Sequence, residues 1–213
     1  MERITSRQNP LMSHIRKLGS SRSYRRETGE YLGDGVKLLE EAAHWGASLT
    51  AVVYTEGTSL PSLPEGVRLV EVPEGLMAAI SPMEAPQGAL FVAKQPDLGP
   101  AGGADLYNPK TVRASMGAVF RCPAWRCTLE ELTGLLQRAD LPLYGAALRE
   151  DTLDVRQVDW KRSAALVGSE GRGLSQAALD ACTATVKIPM TPRCESLHAA
   201  AAAAVLLWEG WRC

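Results

Sequence analysis

Apolar residues recur along this chain with two alternating periods. In TSRQNPLMSHIRKLG (5–19), Leu11, Ile15 and Leu18 fall at helical spacing, the basic residues lie mostly off that stripe, and Gly19 marks a stop. GDGVKLLEEAAHWGA (33–47) is a second helix, with Val36, Leu39 and Ala43 on one face, Leu38, Ala42 and Trp45 beside it, and Gly46 ending it. TAVVYT (50–55), GVRLVEVP (66–73) and QGALFVAK (87–94) read as strands, and EGLMAAIS (74–81) as a short helix. The order helix, strand, strand, helix, strand predicts a compact α/β unit over residues 1–95.

The Pro/Gly-rich stretch 96–103 reads as a linker, and a second unit is expected over 104–213. TLEELTGLLQRA (128–139) predicts a helix that buries Leu129, Leu132, Leu135 and Leu136, with Thr128 and Glu131 in capping-box positions. LPLYGAAL (141–148) is a strand. SAALVGSEGRGLSQAALDAC (163–182) is strand, Gly-rich turn and helix, with Ser175 as N-cap. ATVKIPM (184–190) is a strand ending at Pro189, and the alanine-rich ESLHAAAAAAVLLWEGW (195–211) is a helix. Strands alternating with helices imply a largely parallel sheet.

Composition narrows the class. A chain of 213 residues, 46% hydrophobic, can bury a sizeable core, and no run approaches the roughly 18 apolar residues of a membrane span. The first residues lack the apolar stretch of a signal peptide, and five cysteines without framework spacing suit reduced thiols, so a cytoplasmic protein is expected. Cys122 and Cys127 have no matching second pair, and no metal is expected. The net charge is −1, yet residues 1–26 carry Arg3, Arg7, Arg16, Lys17, Arg22, Arg25 and Arg26 against Glu2 alone. That asymmetry suits either a basic patch that meets phosphates or a solvated helix face.

Gly168-Ser169-Glu170-Gly171-Arg172-Gly173 follows an apolar strand and precedes a helix, where α/β folds bind nucleotides. It is neither a Walker loop nor GxGxxG, and the Glu170 carboxylate would repel a polyphosphate. The bland alternative is a tight strand-to-helix turn.

Taken with IPMTPRCESLHAAAAAAVLLWE (188–209) and DLYNPKTVRASMGAVFRCP (105–123), this loop resembles the SpoU family of RNA ribose 2′-O-methyltransferases, of the SPOUT superfamily. ITSRQNPLMSHIRKLGSSRSYRRETGEYLGDG (4–35) and ISPMEAPQGALFVAK (80–94) are similar to that family's N-terminal substrate-binding domain. The resemblance implies a small N-terminal α/β RNA-binding domain and a C-terminal parallel sheet closed by a trefoil knot. It also implies methyl transfer from S-adenosylmethionine to a ribose 2′-hydroxyl, ribosomal RNA as substrate, and a homodimer. Carried over residue by residue, Gly168, Gly171, Ile188, Met190 and Leu197 would hold the cofactor, and Glu170, Ser196 and His198 would organise the reacting site. Arg7, Arg22, Arg25, Arg26 and Arg113 are the expected RNA contacts.

Two departures stand out. His198 occupies the place of the family's Asn; a neutral imidazole also offers a donor and an acceptor, but on a larger ring. The family's first motif, a strand–loop–helix carrying an Asn and then an Arg proposed as base, has no counterpart before ADLYNPK. A strand–helix–strand block of roughly 30 residues is thus expected to be absent, and slow transfer with it. Arg113 belongs to a downstream family segment and is not that base. Rival readings are an RNA-binding protein that keeps the cofactor loops without catalysis, and a nucleotide-binding module built on 168–173.

Overall fold

The computed structural model describes residues 2–99, 104–149, 152–191, 193 and 197–212. By compactness the chain divides into Met1–Arg126 and Cys127–Cys213.

The first unit is built on five strands, β1 (Glu2–Arg3), β2 (Glu30–Asp34), β3 (Leu49–Tyr54), β4 (Arg68–Glu71) and β5 (Ala89–Lys94), in the order β1-β4-β3-β5-β2. β1, β4 and β3 run parallel, while β5 is antiparallel to both β3 and β2. Period-2 alternation splits the strand residues between two cores. Leu32, Val53, Leu90 and Val92 face one side, with Met12, Ile15 and Leu18 of α1 (Pro10–Ser20) and Leu76, Met77 and Ile80 of α4 (Glu74–Ile80). Tyr31, Val52, Phe91 and Ala93 face the other, with Leu38, Leu39 and Ala42 of α3 (Val36–His44). Gly33 pairs with Phe91 across β2 and β5, and a Cβ there would stand 2.1 Å from the phenyl ring, so the ring needs the glycine.

Three features of this unit differ from the sequence expectation. β1, β2 and α2 (Arg22–Thr28) were not foreseen; Gly33 and Asp34 break the short apolar run of β2. Leu98, within the expected linker, is buried in the second core and its carbonyl accepts from Arg126 N–H at 2.7 Å; residues 100–103 lie outside the described residues. The segment assigned from sequence to the C-terminal unit packs here instead as far as Arg126. It carries α5 (Pro109–Ala114) and α6 (Ala118–Arg121), and it inserts Tyr107 and Val112 into the core.

The second unit is a parallel four-stranded sheet in the order β7-β9-β6-β8: β6 (Leu143–Ala146), β7 (Leu153–Asp154), β8 (Ala164–Val167) and β9 (Ala184–Lys187). Its helices are α7 (Leu129–Arg138), α8 (Gln176–Asp180) and α9 (Ala199–Trp211). The capping box on α7 forms in both directions, and Ser175 caps α8. The four leucines of α7 do not form a buried face: none is buried, and Leu135 is exposed. Spacing puts them on one side of a helix, but the described residues supply no element that seals that side. The core is correspondingly small, with Val155, Val186 and Leu206 buried and Tyr144, Trp160 and Ile188 packed against them.

Candidate active site

The site of the second unit lies beyond the C-terminal ends of β6, β8 and β9, where open parallel sheets present ligand clefts. After β8 the backbone doubles back. Ser169 and Gly173 exchange N–H···O bonds of 3.1 and 2.8 Å, and Gly173 takes a left-handed φ of 63°. Gly168 sits against this turn so closely that a Cβ would lie 2.2 Å from the Gly173 carbonyl carbon. The loop therefore requires glycine at 168 and at 173 for different reasons, one of space and one of conformation. Gly171 stands at its open tip, with nothing among the described residues near its missing side chain.

The N-terminus of α9 closes the other side. His198 is the N-cap residue of this helix, but its side chain makes no capping bond. Instead Nδ1 lies 2.7 Å from Oε1 of Glu170, with both side chains more than half exposed. The carboxylate favours the tautomer with the proton on Nδ1, which leaves Nε2 as an acceptor.

Between loop and helix is a cleft of about 490 Å³ that Gly168, Glu170, Leu197 and His198 help to line. An apolar hollow of about 120 Å³ adjoins it, bounded by Ile188, Met190 and Leu197 with Leu148 and Val186. Ala146 and Ala202 border both spaces. Of the residues singled out from sequence, Gly168, Glu170, Leu197 and His198 thus share one cleft, and Ile188, Met190 and Leu197 share its neighbour. Ser196 lies outside the described residues. Ala146 and Ala202 were missed; their small size, at a strand end and in an alanine run, was the available signal. A glycine-backed turn, a carboxylate and an apolar hollow fit an adenosine-like group bearing a positive charge better than a polyphosphate.

The expected RNA contacts divide by environment. Arg7, Arg22 and Arg26 are exposed. Arg113 is half-buried and its charge acts on Asp34. Arg25 is a correction: its guanidinium is 2% exposed, bonded to Asp105 Oδ2 at 2.6 Å and donating to the Leu18 carbonyl. It is a core ion pair with no face for phosphate.

Residues 96–208 match the model of the SpoU rRNA Methylase family, and residues 9–90 that of the MRM3-like substrate binding domain. The chain belongs to the SpoU family. It is 30% identical to a 23S rRNA (uridine(2479)-2′-O)-methyltransferase of Streptomyces viridochromogenes, over 99% of this chain and 92% of the relative. It is 26% identical to the 23S rRNA (guanosine(2553)-2′-O)-methyltransferase RlmP of Bacillus subtilis, over 98% and 99%. A crystal structure of an RNA 2′-O ribose methyltransferase superposes with a TM-score of 0.78 at 26% identity, covering 99% of this chain and 98% of that one. The α/β architecture with a parallel C-terminal sheet is therefore that of known SPOUT enzymes.

Proposed function

We propose that this SpoU protein transfers a methyl group from S-adenosylmethionine to a ribose 2′-hydroxyl in RNA, with ribosomal RNA as the substrate class. The observation that carries the reading is the convergence of the 168–173 loop, the 188–190 segment and the start of α9 on adjoining spaces, with the His198–Glu170 pair at the mouth. Ile188, Met190 and Leu197 would wall the adenosine, and Gly168 and Gly171 would let the backbone approach it. When bound, S-adenosylmethionine supplies an electrophilic methyl on a cationic sulfur. Nε2 of His198 accepts the proton that the 2′-hydroxyl releases, while Glu170 holds the ring and balances its positive charge. Ser196, one residue from Leu197, would bind the ribose. Arg7, Arg22, Arg26 and Arg113 would hold the RNA backbone from the N-terminal substrate domain, residues 1–95, and the segment that follows it.

The same reading includes the absence of the family's first motif. β8 is an edge strand of an all-parallel sheet, and Ala165 on it is exposed, although such sheets normally bury their strands on both faces. The match to the B. subtilis relative runs over 247 positions while using 98% of this chain, leaving about 38 positions without a residue here, the size of a strand–helix–strand unit. A SPOUT knot through which α9 threads, and a homodimer, complete the proposal. The exposed Leu207, Trp208 and Trp211 of α9 support the dimer.

The deciding experiment is transfer of labelled methyl to unmodified ribosomal RNA under single-turnover conditions, with the product digested to nucleosides. A labelled 2′-O-methyl nucleoside is expected, formed about 100-fold more slowly by His198→Ala. RNA binding without transfer by the folded wild type would leave a non-catalytic RNA-binding protein.

A further inference from the structure

We infer that the first unit holds an unpaired RNA base in an aromatic cleft at the C-terminal end of α3, separate from the basic residues of α1 and α2. This rests on the reading of RNA as substrate and goes beyond it by naming a base site. The cleft has a volume of about 460 Å³. Its floor is Tyr31 and Tyr107, nearly buried, with ring centroids 4.6 Å apart. Phe120 forms one side, and Trp45 and Lys94 stand at the rim.

Trp45 is the informative residue. It is a large indole left 48% exposed beside a cleft, and its backbone is fixed. It ends α3 in a Schellman cap: Ala47 N–H donates to the Ala42 carbonyl at 2.8 Å and Gly46 N–H to Ala43 at 3.3 Å, with Gly46 at φ 71°. The His44 ring abuts the indole edge-on at 5.2 Å. A rigidly mounted, half-exposed aromatic loses little entropy on stacking, and every base offers it a π-face. Lys94, exposed at the end of β5, supplies the cation that a phosphate next to a stacked base requires.

Polar groups reach the cleft as well. Gln95 spends its amide hydrogens on the carbonyls of Arg25 and Glu30, both at 3.0 Å, so its amide oxygen is an acceptor for a base edge. The bond to Arg25 ties the cleft wall to the last turn of α2, where Arg26 is exposed, and the bond to Glu30 ties it to β2. A strand whose phosphates meet Arg26 therefore has a short path to the cleft. Burial raises the Tyr31 phenol well above its ordinary value and the Tyr107 phenol above its own, and both, neutral at physiological pH, can face a base without repelling its phosphate. A stacked base must be out of its duplex, so this site selects single-stranded or looped RNA.

The test compares binding of a 12-nucleotide oligoadenylate and of a 12-base-pair RNA duplex by wild type, Trp45→Ala, Trp45→Phe and Lys94→Gln, with melting curves to verify folding. Trp45→Ala should weaken the single strand about tenfold, leave the duplex unchanged, and be largely rescued by Phe. Lys94→Gln, at an exposed position, should lower the salt slope for the single strand by about one. Unchanged single-strand binding by Trp45→Ala and Lys94→Gln, or equal losses on both RNAs, would overturn the base site. Failure of the folded wild type to bind either RNA would instead overturn the RNA reading.

Discussion

Nδ1 of His198 lies 2.7 Å from Oε1 of Glu170, and the imidazole making that contact leaves helix α9 without a side-chain cap. Asn is among the best N-cap residues and His is not. His198→Asn should therefore stabilise the protein by about 1 kcal/mol, read as a higher urea midpoint. The lost contact with Glu170 offsets little of this, since both side chains are more than half exposed. The same variant should lower methyl transfer, because an amide cannot take up a proton at neutral pH. A higher midpoint with undiminished transfer would remove His198 from the chemistry.

Gly168 tests the cofactor cleft. A methyl group there meets the Gly173 carbonyl carbon at 2.2 Å and the Leu174 nitrogen at 2.5 Å, and backbone atoms cannot step aside as side-chain ends do. Gly168→Val should reopen the turn and weaken S-adenosylmethionine binding at least tenfold in calorimetry, about 1.4 kcal/mol or more. Wild-type affinity in the variant would place the cofactor elsewhere.

Arg25 and Asp105 join residues 80 apart in sequence through a nearly buried ion pair. Removing one partner strands the other charge in the interior, which typically costs about 3–5 kcal/mol. Arg25→Ala should lower the unfolding midpoint accordingly, while Arg25→Met, which refills the volume, still leaves Asp105 unpaired and recovers only part. A double replacement, Arg25→Met with Asp105→Leu, should recover most. A neutral Arg25→Ala would show that the 104–126 segment owes nothing to this contact.

That pair also shows where sequence reading stopped. Counting charges over residues 1–26 found a basic segment but could not tell exposed Arg22 and Arg26 from Arg25, whose partner lies far along the chain. Periodicity behaved similarly. It located α7 and its apolar side, yet nothing local reveals whether that side is covered, and Leu135 is exposed. Strand β2 escaped because its key is non-local: Gly33 looks like a strand breaker until Phe91 is set opposite it. The 168–173 turn was legible because turn chemistry is local, whereas Ile188 and Leu197 were singled out only through the family resemblance; Gly168, Glu170 and Leu197 line one cleft, and Ile188 and Leu197 its neighbour.

Asp34 makes stability depend on pH. It is 4% exposed, and burial raises its pKa above the ordinary 3.8 despite the Ser81 hydroxyl bonded to Oδ2 at 2.6 Å, the Gln87 backbone and the Arg113 charge, which all favour the carboxylate. The folded protein thus holds this proton more tightly than the unfolded chain. The resulting stability is fully present below pH 3.8 and is lost as pH rises through the raised native value. Urea midpoints should show this fall in the wild type and lose that component in Asp34→Asn. Identical pH profiles for the two proteins would show that Asp34 ionises alike in both states.

Arg22 and Arg26 carry the exposed charge of α2. If they neutralise phosphates, each releases condensed counterions on binding, so the logarithm of affinity falls with the logarithm of salt by about one unit of slope per contact. Arg22→Gln with Arg26→Gln should therefore flatten the slope by about two and weaken binding at low salt. At high salt the affinities of variant and wild type should converge, because the counterion term vanishes for both. Arg25→Met separates charge from position: it lies between these two in sequence, yet its guanidinium is sealed against Asp105, so its salt slope should equal the wild type's while its stability falls. A flattened slope in Arg25→Met, or an unchanged one in the double variant, would show that RNA meets this unit through some other surface.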